Sequence, residues 1–395
     1  MSMIELVDRA LCTACGECMY ICPTKSIKFI LDKYGNYYPS IAHETCINCG
    51  RCKIHCHVEK NLFNENKPYK AYVGWNTDSG IRRLSASGGI AAAIYKYALK
   101  KGYKVFGVSY SNSKGATYKE IFSESDIFLV QNSKYVYSKI IDIYNIALTY
   151  LKNGEKVIIP ALPCQAASLK LLCDKYSSNL ILIDIVCRGV CSQEFLNQHI
   201  AFIEKKQGEK ADTIYFRDSV EGTDNYIFSL YIKGKKIYSA KASGNDVYQL
   251  GYHKSLTYRD NCYSCKYAQQ TRVGDLTISD FTGLGREKPY TGPRESVSCI
   301  LVSSVKGKQL LTELIDNDLI ICEERPLEEA FLHEKQFKHP SIPHKKRNKF
   351  MDEYIKSSNF EKAARKALTK ELFMYYSGLK LMKKNIKNLL NKKTF

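Results

Sequence analysis

Short apolar runs alternate with helical patterns through the middle of the chain. "KAYVGW" and "KVFGVSY" have the composition of β-strands and flank a predicted helix over about residues 88–101. "EKVIIPA" and "LILIDIV" flank a second predicted helix over about residues 165–175. Strand, helix and strand in succession are typical of parallel βαβ units. The pattern therefore predicts an α/β domain.

Two cysteines follow the ends of two of these strands. Cys164 comes after "EKVIIPA" and Cys187 after "LILIDIV". Ligands in such sheets gather outside the carboxyl ends of the strands, so neighbouring strands would place both thiols at one edge. Cys262 and Cys265 form a C-x2-C pair before the strand-like "GDLTISD". Four such ligands are enough for a [4Fe-4S] cluster or a structural zinc, although a lone cysteine at a strand end is more often a small buried residue.

Four further cysteines carry weaker signals. Cys173 lies on the predicted helix after Cys164, and Cys299 and Cys322 lie in apolar strand-like runs, so we assign all three to core packing. Cys191 belongs to "CRGVC". We interpret it as a bystander thiol, with an alternate ligand as the other interpretation.

The strongest chemical signal lies near the N-terminus, where C-x2-C-x2-C-x3-C occurs twice. Three closely spaced thiolates can bind three irons of one cubane, while the fourth cysteine reaches the other cubane. Zinc is the alternative, but the duplicated C-x3-C disfavours it. The spacing predicts two [4Fe-4S] clusters, one held by Cys12, Cys15, Cys18 and Cys56 and the other by Cys46, Cys49, Cys52 and Cys22.

A group of small residues, "SASGG", precedes the helix predicted from about residue 88. Ser85, Ser87, Gly88 and Gly89 could offer hydroxyls and amides to a phosphate at the helix N-terminus. The spacing matches neither G-x-G-x-x-G nor the P-loop. An N-cap and close-packing role is an equal alternative.

Composition limits the classes of protein that the chain can represent. We find no signal peptide and no run of about 18 apolar residues, so we expect a cytoplasmic protein. Sixteen cysteines in such a protein indicate metal ligands or redox thiols more than a disulfide framework. The net charge of +19 alone does not predict nucleic-acid binding, because much of the excess lies in one segment.

That segment is the C-terminal tail, where ten Lys or Arg and two Glu occupy residues 360–395. Apolar positions share one face of a predicted helix and lysines fill the other. We expect either a solvated helix that packs its apolar face on the body, or a helix that docks on a membrane surface or a partner. The apolar positions are Leu379, Met382, Ile386, Leu389 and Leu390.

Six motifs in order carry a family resemblance: "IRRLSASGG", "NSKYVYS", "PALPCQ", "DIVCRGVCS", "YRDNCYSCKYA" and "GDLTISDFTGLG". Over about residues 70–345 the chain resembles the family of coenzyme F420 hydrogenase/dehydrogenase beta subunits. Residues 1 to about 60 resemble bacterial two-cluster ferredoxins. The combined resemblance implies an α+β ferredoxin-like domain over 1–65, an α/β domain with a mixed sheet over 70–345, and a basic helical tail over 350–395.

The resemblance also implies a flavoprotein that uses FAD. It makes Ser85, Ser87, Gly88 and Gly89 candidates for flavin phosphate contacts. Lys134 of "SKY" becomes a candidate for a flavin or substrate contact, and Asp280 would lie near the same site. The family pattern includes cysteines in "PCQ", "C-x-G" and the C-x2-C pair, which strengthens the prediction of a third [4Fe-4S] cluster.

Three departures limit the transfer. Arg188 stands where the family often has histidine, and Cys191 stands where proline is common. His57 follows Cys56, whereas Pro23 follows Cys22 in the first ferredoxin motif. None of the three removes a predicted ligand.

We therefore expect an iron–sulfur oxidoreductase that exchanges electrons through FAD with an organic two-electron carrier or substrate. The deazaflavin coenzyme F420 is one such substrate, and relatives in the family act on others. The alternative is a non-enzymatic electron-carrier subunit of a larger redox complex. The expected partner is a redox protein or a small-molecule electron donor or acceptor, and we predict no binding to nucleic acid.

Overall fold

A computed structural model describes residues 4–60, 67–242 and 244–378. The strands are β1 (Ile27–Leu31), β2 (Tyr37–Ile41), β3 (Lys70–Asn76), β4 (Lys104–Ser111), β5 (Gly115–Glu120), β6 (Val157–Ala161), β7 (Leu180–Ile185), β8 (Thr213–Tyr215), β9 (Ile227–Ile232), β10 (Lys235–Lys241), β11 (Leu276–Asp280), β12 (Ser298–Val302) and β13 (Ile320–Arg325).

Helices precede, separate and follow these strands. They are α1 (Glu17–Ile21), α2 (Arg51–Ile54), α3 (Ser79–Leu84), α4 (Ile90–Lys100), α5 (Glu124–Val130), α6 (Tyr144–Lys152), α7 (Pro163–Leu172), α8 (Gln193–Gln207), α9 (Val247–His253), α10 (Val305–Asp316), α11 (Leu327–His333), α12 (Arg347–Ser357), α13 (Phe360–Ala367) and α14 (Thr369–Tyr376). None of the helices in these described ranges is long and apolar enough to cross a membrane.

Eight strands form one mixed sheet in the order β13-β3-β12-β11-β7-β6-β4-β5. Strands β11, β7, β6 and β4 are parallel neighbours, and β3 runs in the same direction beyond β12. Strands β13, β12 and β5 run the opposite way. The predicted α/β domain with a mixed sheet is confirmed. The four strands predicted around two helices are β3, β4, β6 and β7, and the two helices are α4 and α7.

The neighbouring positions of β3 and β4 in the chain do not make them neighbours in the sheet. Four strands, β12, β11, β7 and β6, lie between them. Strands β12 and β13 come from the last third of the described chain and pair with both sides of β3. The sheet is therefore completed by segments remote in sequence.

Proline in the middle of β6 marks a change in pairing. Pro160 pairs with β7 at Ile183, but β4 pairs with β6 only at Val157 and Ile158. Proline has no backbone N–H to donate, so it is tolerated where a neighbouring strand no longer needs that bond. Beyond this point β4 pairs only with β5, which lies on its other side. The sheet is thus opened at the carboxyl ends of its parallel strands, a region that we call the carboxyl edge.

The N-terminal segment contains an antiparallel pair, β1 and β2, and two short helices. The helices α1 and α2 begin after Gly16 and Gly50, both of which have left-handed backbone angles, with φ of 82° and 72°. Glycine accepts this conformation without strain. Each of these turns brings cysteines on both of its sides close together. The assignment of the segment as a ferredoxin-like domain remains a prediction, as do the three domain boundaries.

A second core lies beneath the three-stranded sheet β10-β9-β8. Rings from α8, α12 and α13 meet there, with Phe195 stacked on Phe360 at 5.4 Å and edge-on to Phe350 at 5.4 Å. The first helices after residue 345 are therefore packed on the body. The apolar positions of the predicted amphipathic tail helix, residues 379–390, lie outside the described residues.

One buried histidine joins three elements of this second core. His199 of α8 bonds through Nε2 to the Asp246 carboxylate at 2.9 Å and through Nδ1 to the Glu361 carboxylate. Asp246 caps α9, and Glu361 lies in α13. Burial disfavours the imidazolium, but the two carboxylates outweigh it and raise the pKa of His199 to about 9. The cation therefore ties α8, α9 and α13 together.

We expect His199→Ala to destabilise the protein by about 3–5 kcal/mol, because two buried carboxylates would lose their cation. An unfolded histidine titrates near 6.5. The stabilisation from a raised pKa is therefore full below about pH 6.5 and is lost as the pH rises through about 9. Urea unfolding at pH 6 and pH 9.5 should show a smaller difference between wild type and variant at the higher pH.

The matched control is His339→Ala, at an exposed position. It should leave the free energy of unfolding unchanged at both values of pH. An equal loss of stability at pH 6 and pH 9.5 in His199→Ala would show that packing, and not charge, explains the effect.

Candidate functional site

The carboxyl edge brings together four of the predicted ligands. The β6 and β7 strands are parallel neighbours, so Cys164 and Cys187 follow adjacent strand ends. Cys262 and Cys265 approach from a 3-10 turn over Asp260–Ser264 and its C-cap. All four thiols line one cavity, which encloses about 600 Å³ of space including solvent at its mouth.

Local structure at the start of α7 fixes the position of Cys164. Pro163 occupies the first turn of α7, where its missing N–H costs nothing, and this turn presents Cys164. Gln165 is buried and accepts a hydrogen bond from the Tyr118 hydroxyl at 2.8 Å while donating to the Ser138 carbonyl at 2.8 Å. The start of α7 is thus fastened to β5 and to the loop before α6.

Burial keeps these thiols protonated and neutral unless a metal ion is bound. Burial raises the pKa of Cys262 to about 11, and burial together with the neighbouring thiols raises the pKa of Cys164 and Cys187 further. A coordinated metal removes such protons outright. Four soft donors around one space therefore fit a metal cluster. A single zinc would need all four sulfurs at about 2.3 Å from one point.

Two buried arginines lie beside the cavity. Arg272 lines it and pairs with the buried Asp184 at 3.2 Å. Arg259 donates to the Tyr37 carbonyl at 3.0 Å, and its buried Nη1 has no hydrogen-bond partner among the residues that the structure describes. An orphaned buried donor of this kind fits an anionic group nearby.

The ferredoxin cysteines gather around a second cavity next to the first. Its lining includes the four ligands predicted for one cluster, together with Cys52: Cys12, Cys15, Cys18, Cys52 and Cys56. Cys52 also packs with Cys22 in a small apolar cluster. The remaining predicted ligands lie closer to solvent, and Cys49 is exposed. Within residues 4–60, 67–242 and 244–378, no three His, Cys, Asp or Glu side chains are arranged to hold one metal ion.

The two cavities share one lining residue, Thr13, and meet at a hydrogen-bonded contact. The Thr13 hydroxyl lies 3.0 Å from His57 Nε2, and His57 Nδ1 bonds to the Tyr267 hydroxyl. Burial and the nearby Lys266 ammonium lower the pKa of His57 to about 3. The ring is therefore neutral, with one donor and one acceptor nitrogen.

The "SASGG" residues make mostly internal contacts. The Gly88 amide donates to the Ser298 hydroxyl at 2.9 Å, and a Cβ at Gly88 would lie 2.4 Å from the Gly74 carbonyl. Ser87 donates to the Val297 carbonyl at 2.6 Å. Gly88 is therefore required for close packing against β3 and β12. A phosphate contact from Ser85, Ser87, Gly88 or Gly89 remains a prediction.

One loop connects these residues with the other flavin candidates. The Gln131 side-chain amide donates to the Ser85 hydroxyl at 3.2 Å, and the Gln131 backbone carbonyl accepts from the Lys134 ammonium. Desolvation of the half-buried Lys134 lowers its pKa to about 7. On the other side of the loop, the Asn132 amide donates to the Arg217 carbonyl at 2.7 Å.

The Arg217 guanidinium continues this network to Asp280, at the carboxyl end of β11. Its Nη1 lies 3.1 Å from both oxygens of the Asp280 carboxylate, and the Tyr226 hydroxyl donates to the same carboxylate at 2.6 Å. The structure therefore connects Ser85, Lys134 and Asp280 through the loop over residues 131–134. Arg217 and Tyr226 were missed from the sequence, because neither belongs to a recognisable spacing.

Stacked rings connect this region with the cysteine cavity. Tyr252 donates to the Gly189 carbonyl, which borders the cavity, and its ring stacks on Tyr135 at 4.6 Å. His253 lies edge-on to both Tyr135 and Tyr226, and its buried Nε2 has no hydrogen-bond partner in the described part of the chain. No pattern in the sequence singles out these rings, since they come from separate segments.

The cysteines assigned to other roles lie away from the cavity lining. Cys191 is fully buried, with its sulfur 2.9 Å from the Thr257 hydroxyl. Cys173 and Cys299 are buried in apolar clusters, and Cys322 packs against another. All sixteen cysteines are free of disulfides.

Two family models match the chain. Residues 154–328 match the C terminus of the coenzyme F420 hydrogenase/dehydrogenase beta subunit, and residues 5–28 match a 4Fe-4S binding domain. A solved F420-reducing [NiFe] hydrogenase complex from Methanosarcina barkeri contains a chain of similar structure, with 15% identity and a TM-score of 0.46. That match covers 78% of this chain and 91% of the other.

Two curated proteins are similar in sequence. The F subunit of the F(420)H(2) dehydrogenase of Methanosarcina mazei is 22% identical over 188 residues, which are 45% of this chain and about half, 53%, of that protein. An uncharacterised ferredoxin of Methanocaldococcus jannaschii is 34% identical over 70 residues, which are 18% of this chain and 90% of that protein. These matches and the cysteine pattern assign residues 154–328 to the C-terminal domain of the coenzyme F420 hydrogenase/dehydrogenase beta subunit family, and they show a 4Fe-4S ferredoxin motif at the N-terminus of the chain.

Proposed function

We propose that the protein is an iron–sulfur flavoprotein oxidoreductase that transfers electrons between [4Fe-4S] clusters and an organic two-electron carrier or substrate through FAD. One observation carries the proposal: four cysteines from separate segments line a cavity that adjoins the cavity of the ferredoxin cysteines. When bound, clusters exchange single electrons, whereas a flavin accepts a hydride and releases electrons singly.

We assign Cys164, Cys187, Cys262 and Cys265 to a third [4Fe-4S] cluster. The open space among the thiols and the buried, orphaned Arg259 donor beside them support this assignment over a structural zinc. The two clusters of the N-terminal segment keep the ligand sets that the spacing predicts. The chain would then hold about twelve irons, four in each of three cubanes.

We place FAD beside the loop over residues 131–134. Lys134 and the N-terminus of α4 can supply positive charge to the phosphates or to the reduced, anionic ring. The Arg217–Asp280 pair holds the carboxyl end of β11 against the same loop. The stacked Tyr135 and Tyr252 rings fill the space between this loop and the cysteine cavity, and they exclude water from it.

The deazaflavin coenzyme F420 is the first substrate to test, because the matching family and the dehydrogenase relative are named for it. Arg188 borders the cavity, lies 3.4 Å from the buried Glu334 carboxylate and leaves about half of its side chain exposed, at 53%. Such a cation would attract an anionic substrate. Other reducible substrates with an acidic group would be recognised by the same chemistry.

A redox partner protein would dock at the exposed side of the N-terminal segment. Ile47 and Ile54 are 63% and 60% exposed, and Arg51 and Lys53 are exposed beside them. Apolar side chains within a basic surrounding fit an acidic partner. Docking through the basic tail helix remains a prediction, as does the cytoplasmic location.

The alternative is a non-enzymatic electron-carrier subunit of a larger complex. The relative from Methanosarcina mazei is named as a subunit, which favours keeping this alternative. The presence of bound flavin distinguishes the enzyme from the carrier. Bound flavin that is reduced or oxidised by a substrate supports the enzyme, whereas about twelve irons without flavin support the carrier.

We expect Cys262→Ala to lower the iron content from about twelve to about eight atoms per chain, because the third cubane would lose a ligand. Iron and acid-labile sulfide are measured together after anaerobic purification. The matched control is Cys173→Ala, which removes a buried thiol at the end of α7 and should retain about twelve irons.

A wild-type protein with about eight irons, unchanged by Cys262→Ala, would exclude the third cluster. Two zinc ions per chain in place of iron would exclude the ferredoxin assignment as well. Far-ultraviolet circular dichroism of each variant shows whether the fold is retained.

We expect Lys134→Ala to weaken FAD binding about tenfold, because it removes one charge-assisted hydrogen bond worth roughly 1.5 kcal/mol. It should also lower the reduction potential of the flavin. Since the pKa of Lys134 is lowered to about 7, its charge is present below that pH and lost above it. The potential of the wild type should therefore differ from that of the variant more at pH 6 than at pH 8.5.

Flavin content and potential are measured by fluorescence and by redox titration at the two values of pH. The control is Lys114→Ala, at an exposed position after β4, which should match the wild type in both. Equal potentials for wild type and Lys134→Ala at pH 6 would place Lys134 away from the flavin ring.

A further inference from the structure

A short chain of hydrogen bonds crosses the contact between the two cysteine cavities. It consists of the Thr13 hydroxyl, the His57 ring and the Tyr267 hydroxyl, which we call the His57 bridge. Thr13 follows the ligand Cys12, His57 follows Cys56, and Tyr267 lies two positions after Cys265. Each member of the bridge therefore belongs to a ligand-bearing loop.

Two of the three members of the bridge are closed to solvent, and Thr13 is half-buried. His57 is 1% exposed and Tyr267 is 4% exposed. Beside them the Lys266 ammonium donates to the carbonyls of Val58 and of Lys60, the latter at 3.0 Å. The loop after Cys56 is thus fastened to the loop after Cys265 by side chain and backbone together.

Iron ligation does not explain the histidine. The first ferredoxin motif ends Cys22-Pro23, and the second ends Cys56-His57. Proline is sufficient to end such a motif, and it offers no hydrogen-bonding side chain. A buried imidazole is costly to keep unless both ring nitrogens are bonded, and here both are. His57 therefore has a hydrogen-bond partner across the contact, Tyr267, whereas Pro23 of the first motif has no side chain that could form such a bond.

We infer that the His57 bridge is a positioning device, which fixes the spacing between the ferredoxin cluster held by Cys56 and the cluster held by Cys265. The inference rests on the proposed function, since it assumes clusters at both sites. Without the bridge the two loops remain, but the contact between them opens more often. Magnetic interaction between reduced clusters depends steeply on their separation, so this spacing can be measured directly.

Tyr267→Phe tests the inference because it removes one hydroxyl and keeps the ring. His57→Pro is the second variant and makes the second motif end like the first. His57→Gln is the conservative variant, whose amide can still donate and accept. Each is purified anaerobically, analysed for iron, reduced fully and measured by electron paramagnetic resonance. Hydrogen exchange at residues 57–60 and 265–268 is measured on the same samples.

We expect all three variants to keep about twelve irons. Tyr267→Phe and His57→Pro should change the interaction-broadened resonance of the wild type towards that of isolated clusters. Both should also raise the rate of hydrogen exchange at the contact about tenfold, which corresponds to the loss of one or two hydrogen bonds. His57→Gln should retain most of the interaction-broadened resonance of the wild type, because its amide can still form hydrogen bonds.

The matched control is Tyr20→Phe, because the Tyr20 hydroxyl crosses the same contact at its exposed margin, 3.4 Å from Asn145 Oδ1. It should leave both readouts unchanged. An unaltered resonance and exchange rate in Tyr267→Phe and His57→Pro would overturn the inference. Loss of the third cluster's iron in Tyr267→Phe would overturn it too, because the hydroxyl would then support ligation rather than spacing.

The failure of the proposed function gives a different result. A wild type with only about eight irons lacks the third cluster, whatever the variants show. In that case the hydrogen-exchange measurement still reports whether the bridge closes the contact. Only the electron paramagnetic resonance measurement is uninformative, because there is no cluster on the other side of the contact.

Discussion

The contact between the N-terminal cysteine loop and the carboxyl edge depends on hydrogen bonds to backbone carbonyls. The Tyr137 hydroxyl donates to the Ala14 carbonyl at 2.6 Å, and the Tyr144 hydroxyl donates to the Cys15 carbonyl at 2.9 Å. Arg259 donates to the Tyr37 carbonyl at the end of the contact. Because the two tyrosine bonds use the backbone of the cysteine loop, its thiols remain available for ligation, and the two cavities stay adjacent.

The same contact explains why the sheet must open at this edge. Strand β4 leaves β6 after Ile158, where Pro160 has no amide to offer it. The space beyond is occupied by the start of α7, which presents Cys164, and by Tyr118 of β5, which holds Gln165. A regular sheet would have continued the ladder of β4 and β6. The proline and the cysteine that follows it are thus parts of one local structure.

Local signals predicted much of this arrangement. The apolar runs of β3, β4, β6 and β7 have strand composition, and cysteine spacing identifies ligands without knowledge of the fold. The sequence could not show that β12 and β13 enclose β3, because the pairing of remote strands depends on the whole sheet. For the same reason Arg217, Tyr252 and His57 gain their neighbours only in three dimensions. At "SASGG" both interpretations were open, and the contact of Gly88 with β3 shows that close packing is one of its roles.

Buried charge gives the contact a preference for an anionic occupant. The charge of Arg272 is balanced by Asp184. Arg259 bonds to carbonyls and to the Asn261 amide oxygen, and in the described part of the chain it forms no ion pair with a carboxylate. A buried cation without a counterion is unfavourable. A cluster with four thiolate ligands carries a net negative charge, so occupation of the cavities would supply the counterion that the protein itself leaves out. Loading of the clusters and closure of the contact should therefore stabilise each other.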